Sequence, residues 1–446
     1  TPDGMRQLFA GANIGALDFW HSSRQIPDTI TEWPLFTAQL GDLHPHLLSM
    51  PIACLALLVA WQAGKKAPNV AQMTFLAILF GVAWAANPWS MPPTLAGIAL
   101  LLVAGADRWH WPQGEARRRW LATGAVAIGG WLITAPFHLG FKPFFQGIKP
   151  VHSWTDPGHL LLYAGCLLIP AGITAYVMLR TMVVADGEVR AAVMLLAGAA
   201  TLVLAAATKR PTLIFLAVIL VVLVAAVLKT TAGADRPVLA LAALGVFLFL
   251  VPEVVYVADS YGEGLHRMNT VFKAYIQGWI LLAVALPVLL RIGLRRPVHR
   301  WTVLGVAVLL ALPHPVGLIV QQFKASSWSI DGMAWMTKGD RAIVEALREE
   351  PHGTMMIEAV GGAYSEYARF SSASGVPTYL GWANHEGVWR GNEIYEETNK
   401  RRELVSHLYS SHDPKQVERL VEKAGIHLVA IGSLERKDYS AARLRT

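Results

Sequence analysis

Charge is what this sequence has least of. Only 15% of its 446 residues are Asp, Glu, Lys or Arg, while 54% are hydrophobic; an ordinary soluble domain carries about 25% charged residues. The mean hydropathy is +0.40. A single water-soluble globule is excluded. Between His46 and Gly105 the only charged residues are Lys65 and Lys66, and between Arg190 and Lys229 they are Lys209 and Arg210. Apolar blocks of roughly 18 residues or more are transmembrane helices by length. Cysteine is scarce as well. Cys54 and Cys166 both lie in apolar blocks, which excludes a disulfide framework and a cysteine zinc site and leaves two small hydrophobes. No signal-peptide pattern precedes the first span, and the chain opens on Thr1, so it reads as a processed chain or as the later part of a longer protein.

Apolar blocks between charge, Pro and Gly punctuation predict about ten spans, near 47–64, 70–86, 91–104, 120–137, 159–183, 190–208, 211–228, 237–252, 271–292 and 301–320. Orientation follows from the basic residues. Alternate loops carry Lys65 and Lys66; Arg108, Arg117, Arg118 and Arg119; Arg180 and Arg190; Lys229 and Arg236; then Arg291, Arg295, Arg296 and Arg300. The opposite loops carry only Lys142, Lys149, Lys209, Arg210 and Arg267. The first set is therefore cytoplasmic, and residues 1–46 and the tail lie outside. The same asymmetry accounts for the pI near 9.4, so no nucleic-acid partner is called for.

From residue 321 the composition turns to mixed charge. An amphipathic helix is expected over Asp340–Glu350, and buried strands over Met355–Val360 and Leu428–Ile431. A second helix is expected over Pro414–Ala424, capped by Asp413 and stopped by Gly425. The predicted architecture is an all-α polytopic membrane bundle with a C-terminal extracytoplasmic α/β domain. It divides into an outer segment 1–46, a transmembrane domain 47–320 and a soluble domain 321–446.

Polar residues without an obvious packing role gather on the outer side. Asp42, His44 and His46 alternate along the chain, so in an extended segment they share one side and suit a divalent ion if further ligands arrive. Alternatively Pro45 begins the helix, His44 caps it, and its end holds a phosphate. A third reading makes them polar anchors at the membrane interface. Lys209 and Arg210 form a cationic hairpin tip, fit for phosphate oxygens or for lipid headgroups. Asn269, Lys273 and Gln277 share one helix face, and Lys273 needs a partner there, with Glu253 and Asp259 nearest in sequence. In the tail, Trp382, His385, Glu386, Trp389 and Arg390 crowd together, with Arg401 and Arg402 beyond. Trp and Arg can stack on a sugar face and bind anions. The His385-Glu386 pair lacks the second His of a helical zinc-protease motif.

These motifs carry a resemblance. The runs Thr31-Glu32-Trp33-Pro34 and Gly41 to His46, Asn87 to Thr94, Lys209 to Thr212, Pro252 to Asp259, Arg267 to Gln277, Gly381 to Gly391, Arg401-Arg402 and Gly432 to Arg436 resemble the YYY-type polytopic membrane proteins over essentially the whole chain. That family's consecutive tyrosines and Asp-Pro-Trp motif are missing here, so the resemblance implies the later part of a longer member, with preceding transmembrane segments as partners. The family is similar in plan to the GT-C membrane glycosyltransferases. This implies a prokaryotic plasma-membrane enzyme that takes sugar from a polyprenyl-phosphate carrier, with an acid in an early outer loop.

On that reading a carboxylate among Asp42, Glu253 and Asp259 deprotonates the acceptor hydroxyl. Lys209, Arg210, Arg267 and Lys273, with Asn269 and Gln277 beside them, hold the departing phosphate. Asp42, His44 and His46 bind a divalent ion or the phosphate, and the tail presents the acceptor; no nucleotide or haem is called for. Two other readings stand beside it: a transporter or flippase of the lipid-linked saccharide, and a metal-dependent hydrolase built on Asp42, His44 and His46.

Overall fold

The structure, a computed structural model, describes residues 1–40, 44–66, 68–105, 114–141, 145–185, 203, 207–230, 233, 235–259, 261–324, 329, 331–390 and 393–439, the side chains of 182–185, 388 and 389 excepted. It divides into two compact units, residues 1–140 with 145–324, and residues 141–144 with 325–446.

In the first unit, short helices α1 (Asp3–Phe9), α2 (Phe19–Ser22) and α3 (Pro34–Gln39) precede the long ones. These are α4 (Pro45–Gly64), α5 (Val70–Ala86), α6 (Met91–Ala104), α7 (Gly114–Ile133), the short α8 (Ala135–Gly140) and α9 (Pro157–Ala185). Then come α10 (Pro211–Lys229), α11 (Asp235–Leu250), α12 (Met268–Gly293), α13 (Pro297–Ala311) and α14 (Pro313–Lys324). Proline opens many of them because its missing N–H falls where the helix has no acceptor for it. Asn69 and Gln72 form a capping box at the start of α5.

Among the described residues, five helices can cross a membrane by length and composition: Pro45–Gly64, Pro157–Thr181, Pro211–Lys229, Asp235–Glu253 and Glu263–Gly293. The pair α13 and α14, bent by 41°, makes a sixth. The expectation of about ten is not reached among the described residues, for physical reasons. Helices α5 and α6 are apolar but only 17 and 14 residues long. Helix α7 spends its first two turns on Glu115, Arg117, Arg118 and Arg119. The expected span at 190–208 lies outside the described residues, positions 203, 207 and 208 aside.

Helix α11 packs between α10 and α12, and α12 against α9, around a core that includes Leu160, Tyr163, Leu216, Phe249, Tyr275 and Leu289. Helices α4 to α7 pack around Ala56, Ala60, Leu76, Phe80, Ile98 and Leu102. Glycine permits the closest approaches. A Cβ on Gly81 would lie 2.5 Å from the Gly130 carbonyl oxygen, and one on Gly278 would lie 2.8 Å from that of Gly245. Small residues at such crossings replace the hydrophobic drive that lipid does not supply. At one end of the bundle Arg119 donates to the carbonyls of Gly64 and Leu102, and Arg236 to that of Ala104. Both cations serve the C-terminal ends of α4 and α6, where carbonyls lack helical partners. At the other end strands β1 (Ile148–Pro150) and β2 (Val255–Val257) pair antiparallel, Lys149 opposite Tyr256.

The second unit holds α15 (Lys338–Arg348), β3 (Met356–Ile357), α16 (Arg369–Ser374), α17 (Ala383–Arg390), α18 (Ile394–Ser410), α19 (Pro414–Ala424), β4 (Leu428–Val429) and α20 (Ser433–Asp438). Helix α19 starts with Asp413 accepting the Lys415 N–H and stops at Gly425, whose φ of 66° is left-handed. The sheet is smaller than the α/β expectation. Strands β3 and β4 pair in parallel over two residues each, because the next donor, the Ala359 N–H, goes to the Glu435 carboxylate instead. This leaves a mainly helical unit whose centre is ionic: Arg369 bridges Glu435 at 2.8 Å and Asp340 at 3.4 Å.

Two outcomes follow. Gly278→Leu should destabilise the detergent-solubilised protein by about 1–3 kcal/mol, read as a lowered Tm, because the Gly245 backbone cannot retreat. Glu358 is fully buried and accepts the Phe370 and Ser371 N–H groups. Burial pushes its carboxyl up to about 7 despite those bonds, and nearby Glu435 adds to the shift. A raised acid costs stability once ionised. The contribution of Glu358 should therefore be fully present below about 4.5 and be lost as pH rises to about 7, by roughly 3 kcal/mol, opposite in sign to that of Asp340, whose carboxyl is raised by burial but held below the usual range by Ser433 and Arg369. Hydrogen exchange of the α16 amides should show that slope, and Glu358→Gln should flatten it.

Candidate functional site

The β1–β2 end of the bundle holds a group of buried polar residues. Its centre is Glu253, whose side chain is fully buried. One carboxylate oxygen accepts from Thr155 Oγ1 at 2.5 Å, Arg267 Nη1 at 3.1 Å and the Tyr275 hydroxyl at 3.1 Å; the other accepts the Thr155 N–H at 2.9 Å. Arg267 also donates to Thr155 Oγ1 and to the Pro252 carbonyl. Glu253 thus serves an ion pair with Arg267, and its oxygens already hold four donors.

On the α12 stripe, Lys273 finds a partner other than Glu253 and Asp259, the two nearest in sequence. Asn269 donates to Asp259 at 2.7 Å, and Gln277 to Ser90 at 3.0 Å. Lys273 Nζ lies 3.2 Å from Nδ1 of His46. An ammonium can only donate, so Nδ1 accepts and the His46 proton sits on Nε2. Nε2 lies 3.3 Å from Thr37 Oγ1 and 3.6 Å from the Glu32 carboxylate, to which Thr37 itself donates. A chain of four side chains therefore runs from Lys273 through His46 and Thr37 to Glu32. Burial pushes the Glu32 carboxyl up, but the bonds from His46 and Thr37 and the charge of Arg24 outweigh it and hold the group below the usual carboxylate range.

A cavity of about 400 Å³ opens among three stretches of the sequence, near residues 26–29, 152–159 and 263–267. Asp28, His152, Asp156, His159, His266 and Arg267 are among its lining residues. His152 and His266 stack with ring centroids 3.7 Å apart. Asp156 accepts the Gly158 N–H at 2.7 Å at the start of α9. Asp28 is exposed and held at φ 57°, a region uncommon for non-glycine residues that concentrates at functional sites. Arg210 places its guanidinium 4.7 Å from the ring centroid of Trp154, another lining residue.

With this geometry in place, the comparison with known families is informative: residues 2–282 match the family described as Uncharacterized membrane protein (DUF2298). The chain belongs to the DUF2298 family. Neither the curated proteins nor the solved structures provide a match. The DUF2298 region contains the buried Glu253–Arg267 pair, the Lys273 chain and every lining residue of the cavity, so these belong to the part the family shares, and they sit in a multi-pass membrane protein.

Of the residues singled out from sequence, Arg267 lines the cavity and Arg210 stacks on a lining residue, while Lys273, Asn269 and Gln277 do not line it. Lys209 precedes α10 with φ 55°. Asp42 lies outside the described residues. His44 occupies the N-cap position of α4, its ring 4.8 Å from that of His46. Of the His46 nitrogens, one faces Lys273 Nζ and the other Thr37 and Glu32. Among the described residues no group of three His, Cys, Asp or Glu is arranged to hold an ion. In the second unit, His385, Glu386 and Arg390 lie on α17, as does Trp389, whose side chain lies outside the description. Arg401 bonds Glu397 and the Tyr379 carbonyl, and Arg402 is exposed. Sequence reasoning passed over Asp28, His152, Asp156, His159 and His266. The one available signal was Ser153-Trp154-Thr155-Asp156-Pro157, a cap-and-proline helix start flanked by histidines.

The Glu253–Arg267 pair can be tested by a double-mutant cycle. Glu253→Leu alone should cost about 3–5 kcal/mol by stranding a buried guanidinium, while Glu253→Leu with Arg267→Met should recover most of the loss, measured as thermal unfolding in detergent.

Proposed function

We propose that this DUF2298 protein is a GT-C-like glycosyltransferase of the prokaryotic plasma membrane, taking sugar from a polyprenyl-phosphate donor at the extracytoplasmic face. The observation that carries the reading is the cavity itself. It combines carboxylates with imidazoles and a guanidinium at the end of a bundle of lipid-length helices. The opposite end carries Arg119 and Arg236, whose loops belong to the basic-rich set that the positive-inside bias assigns to the cytoplasm.

In this reading Asp28 takes the place of the early-loop acid that the GT-C resemblance implies. Its carboxylate accepts the proton of the acceptor hydroxyl as that oxygen bonds to the anomeric carbon. The bond from the anomeric carbon to the phosphate oxygen breaks, and its electron pair leaves with the polyprenyl phosphate. Arg267 and the imidazoles of His152 and His266 face the charge that develops there, with Arg210 at Trp154 as a further cation. Arg267 acts from a fixed position because Glu253 and Thr155 hold it.

Purified protein given a panel of polyprenyl-phosphate sugars and acceptor saccharides should release polyprenyl phosphate. Asp28→Asn, which tolerates the same left-handed backbone, should lower kcat by about 100-fold or more with little change in donor binding. Absence of turnover across the panel would count against the proposal.

The Lys273–His46–Thr37–Glu32 chain favours a second reading. Ionisable groups within a bundle mark proton relays and substrate paths, and this suits a flippase of the same lipid-linked saccharide. Proteoliposomes that move the donor across the bilayer without cleaving it would select that reading.

A further inference from the structure

We propose that the C-terminal unit carries a binding site for a neutral saccharide, in the cavity at α17. The cavity measures about 360 Å³, within the range of small-molecule sites. Its lining residues include Ala368, Ser372, Trp382, His385, Glu386 and Arg390.

One wall is aromatic. The rings of Tyr364, Trp382 and His385 contact one another with centroids 4.9 to 5.6 Å apart. The Trp382 indole N–H is committed to the Tyr367 carbonyl at 2.9 Å, so towards a ligand the indole presents apolar ring surface instead of a donor. Tyr364 remains 61% exposed, unusual for a ring that could have been packed away. Flat apolar surface of this kind matches the C–H face of a pyranose.

The other wall is polar and balanced in charge. Glu386 lies 4.0 Å from Arg390 on the next turn of α17, with side-chain exposures of 21% and 62%. A carboxylate accepts from sugar hydroxyls and a guanidinium donates to them. The same carboxylate repels an anion, which selects a neutral sugar over an acidic one.

The rim is held in an unfavourable backbone conformation. Among the described residues four non-glycine positions have left-handed φ; of these Ala368 at 62° lines the cavity, and Tyr364 at 58° packs its ring on the lining residues Trp382 and His385. The Ala368 carbonyl accepts from both the N–H and the hydroxyl of Ser372, and Glu358 accepts the next two free N–H groups of α16. Strain retained by such a network is a mark of a built site.

The test uses the full chain in a detergent without a sugar headgroup. Calorimetry and saturation-transfer NMR would be run with mannotriose, maltotriose, triacetylchitotriose, a galacturonate trimer and UDP. At least one neutral trisaccharide should bind saturably. Tyr364→Asn keeps a residue that accepts positive φ and should weaken binding about tenfold by removing the ring. Glu386→Gln, which keeps the shape of the side chain, should weaken it measurably as well. Three results overturn the site: no neutral trisaccharide binds, the acidic trimer or UDP binds more tightly, or both variants bind like the parent. The site does not depend on the transferase reading. Saccharide binding in a chain without turnover would count only against the transferase.

Discussion

The polar end of the transmembrane unit depends on the satisfaction of one buried carboxylate. Taking Glu253 out of water costs several kcal/mol, and its attraction to Arg267 offsets that only if the remaining lone pairs find donors. They find Thr155, through both its hydroxyl and its N–H, and the Tyr275 hydroxyl. Three distant stretches, the approach to α9, the end of α11 and the start of α12, are thereby tied at one point. Because Arg267 is the N-cap of α12, the tie also sets the rotation of that helix. Asn269, Lys273 and Gln277 are then carried to Asp259, His46 and Ser90 as a consequence of one fixed residue.

Those pairings show what a sequence does and does not reveal. Element boundaries were legible where local chemistry decides them. Pro45, Pro157 and Pro211 mark helix starts by their missing N–H groups, and Asp413 and Gly425 bracket α19 as capping rules require. Partner choice was not legible. Lys273 has Asp259 and Glu253 close in sequence, yet its contact is His46, 227 positions away, because Glu253 is already filled by Arg267. The cavity was hidden for a related reason. Its residues come from three stretches, near 28, 152–159 and 266, and no single stretch has the density of a motif. Among the described residues fewer helices reach a full span than hydropathy predicts, because hydropathy alone cannot separate a full span from a short apolar helix such as α6.

The two cavities share a physical signature although they lie in different units. Each has a non-glycine residue in the left-handed region at its edge, Asp28 in one and Tyr364 with Ala368 in the other. Such conformations cost on the order of 1–3 kcal/mol each and persist only where neighbours over-determine them. Around Ala368 the over-determination comes from Ser372 and Glu358. Around Asp28 it comes from the short turns that run from α2 to Thr31, where the Thr31 N–H donates to the Ser23 carbonyl and the Gln25 N–H to Thr31 Oγ1.

That turn also leads from the cavity into the bundle. Glu32 follows Thr31 directly. Its carboxylate is bound by Thr37 and lies beside His46, and its carbonyl accepts the Tyr163 hydroxyl of α9 at 2.8 Å. The ammonium of Lys273 fixes the His46 tautomer, the tautomer aims Nε2–H at Thr37 and Glu32, and Glu32 anchors the segment that carries Asp28. Removing the charge at Lys273 would free His46 to place its proton on either nitrogen, and the direction of the whole chain would no longer be defined. A run of contacts thus joins Lys273, which does not line the cavity, to Glu32, four residues along the chain from Asp28.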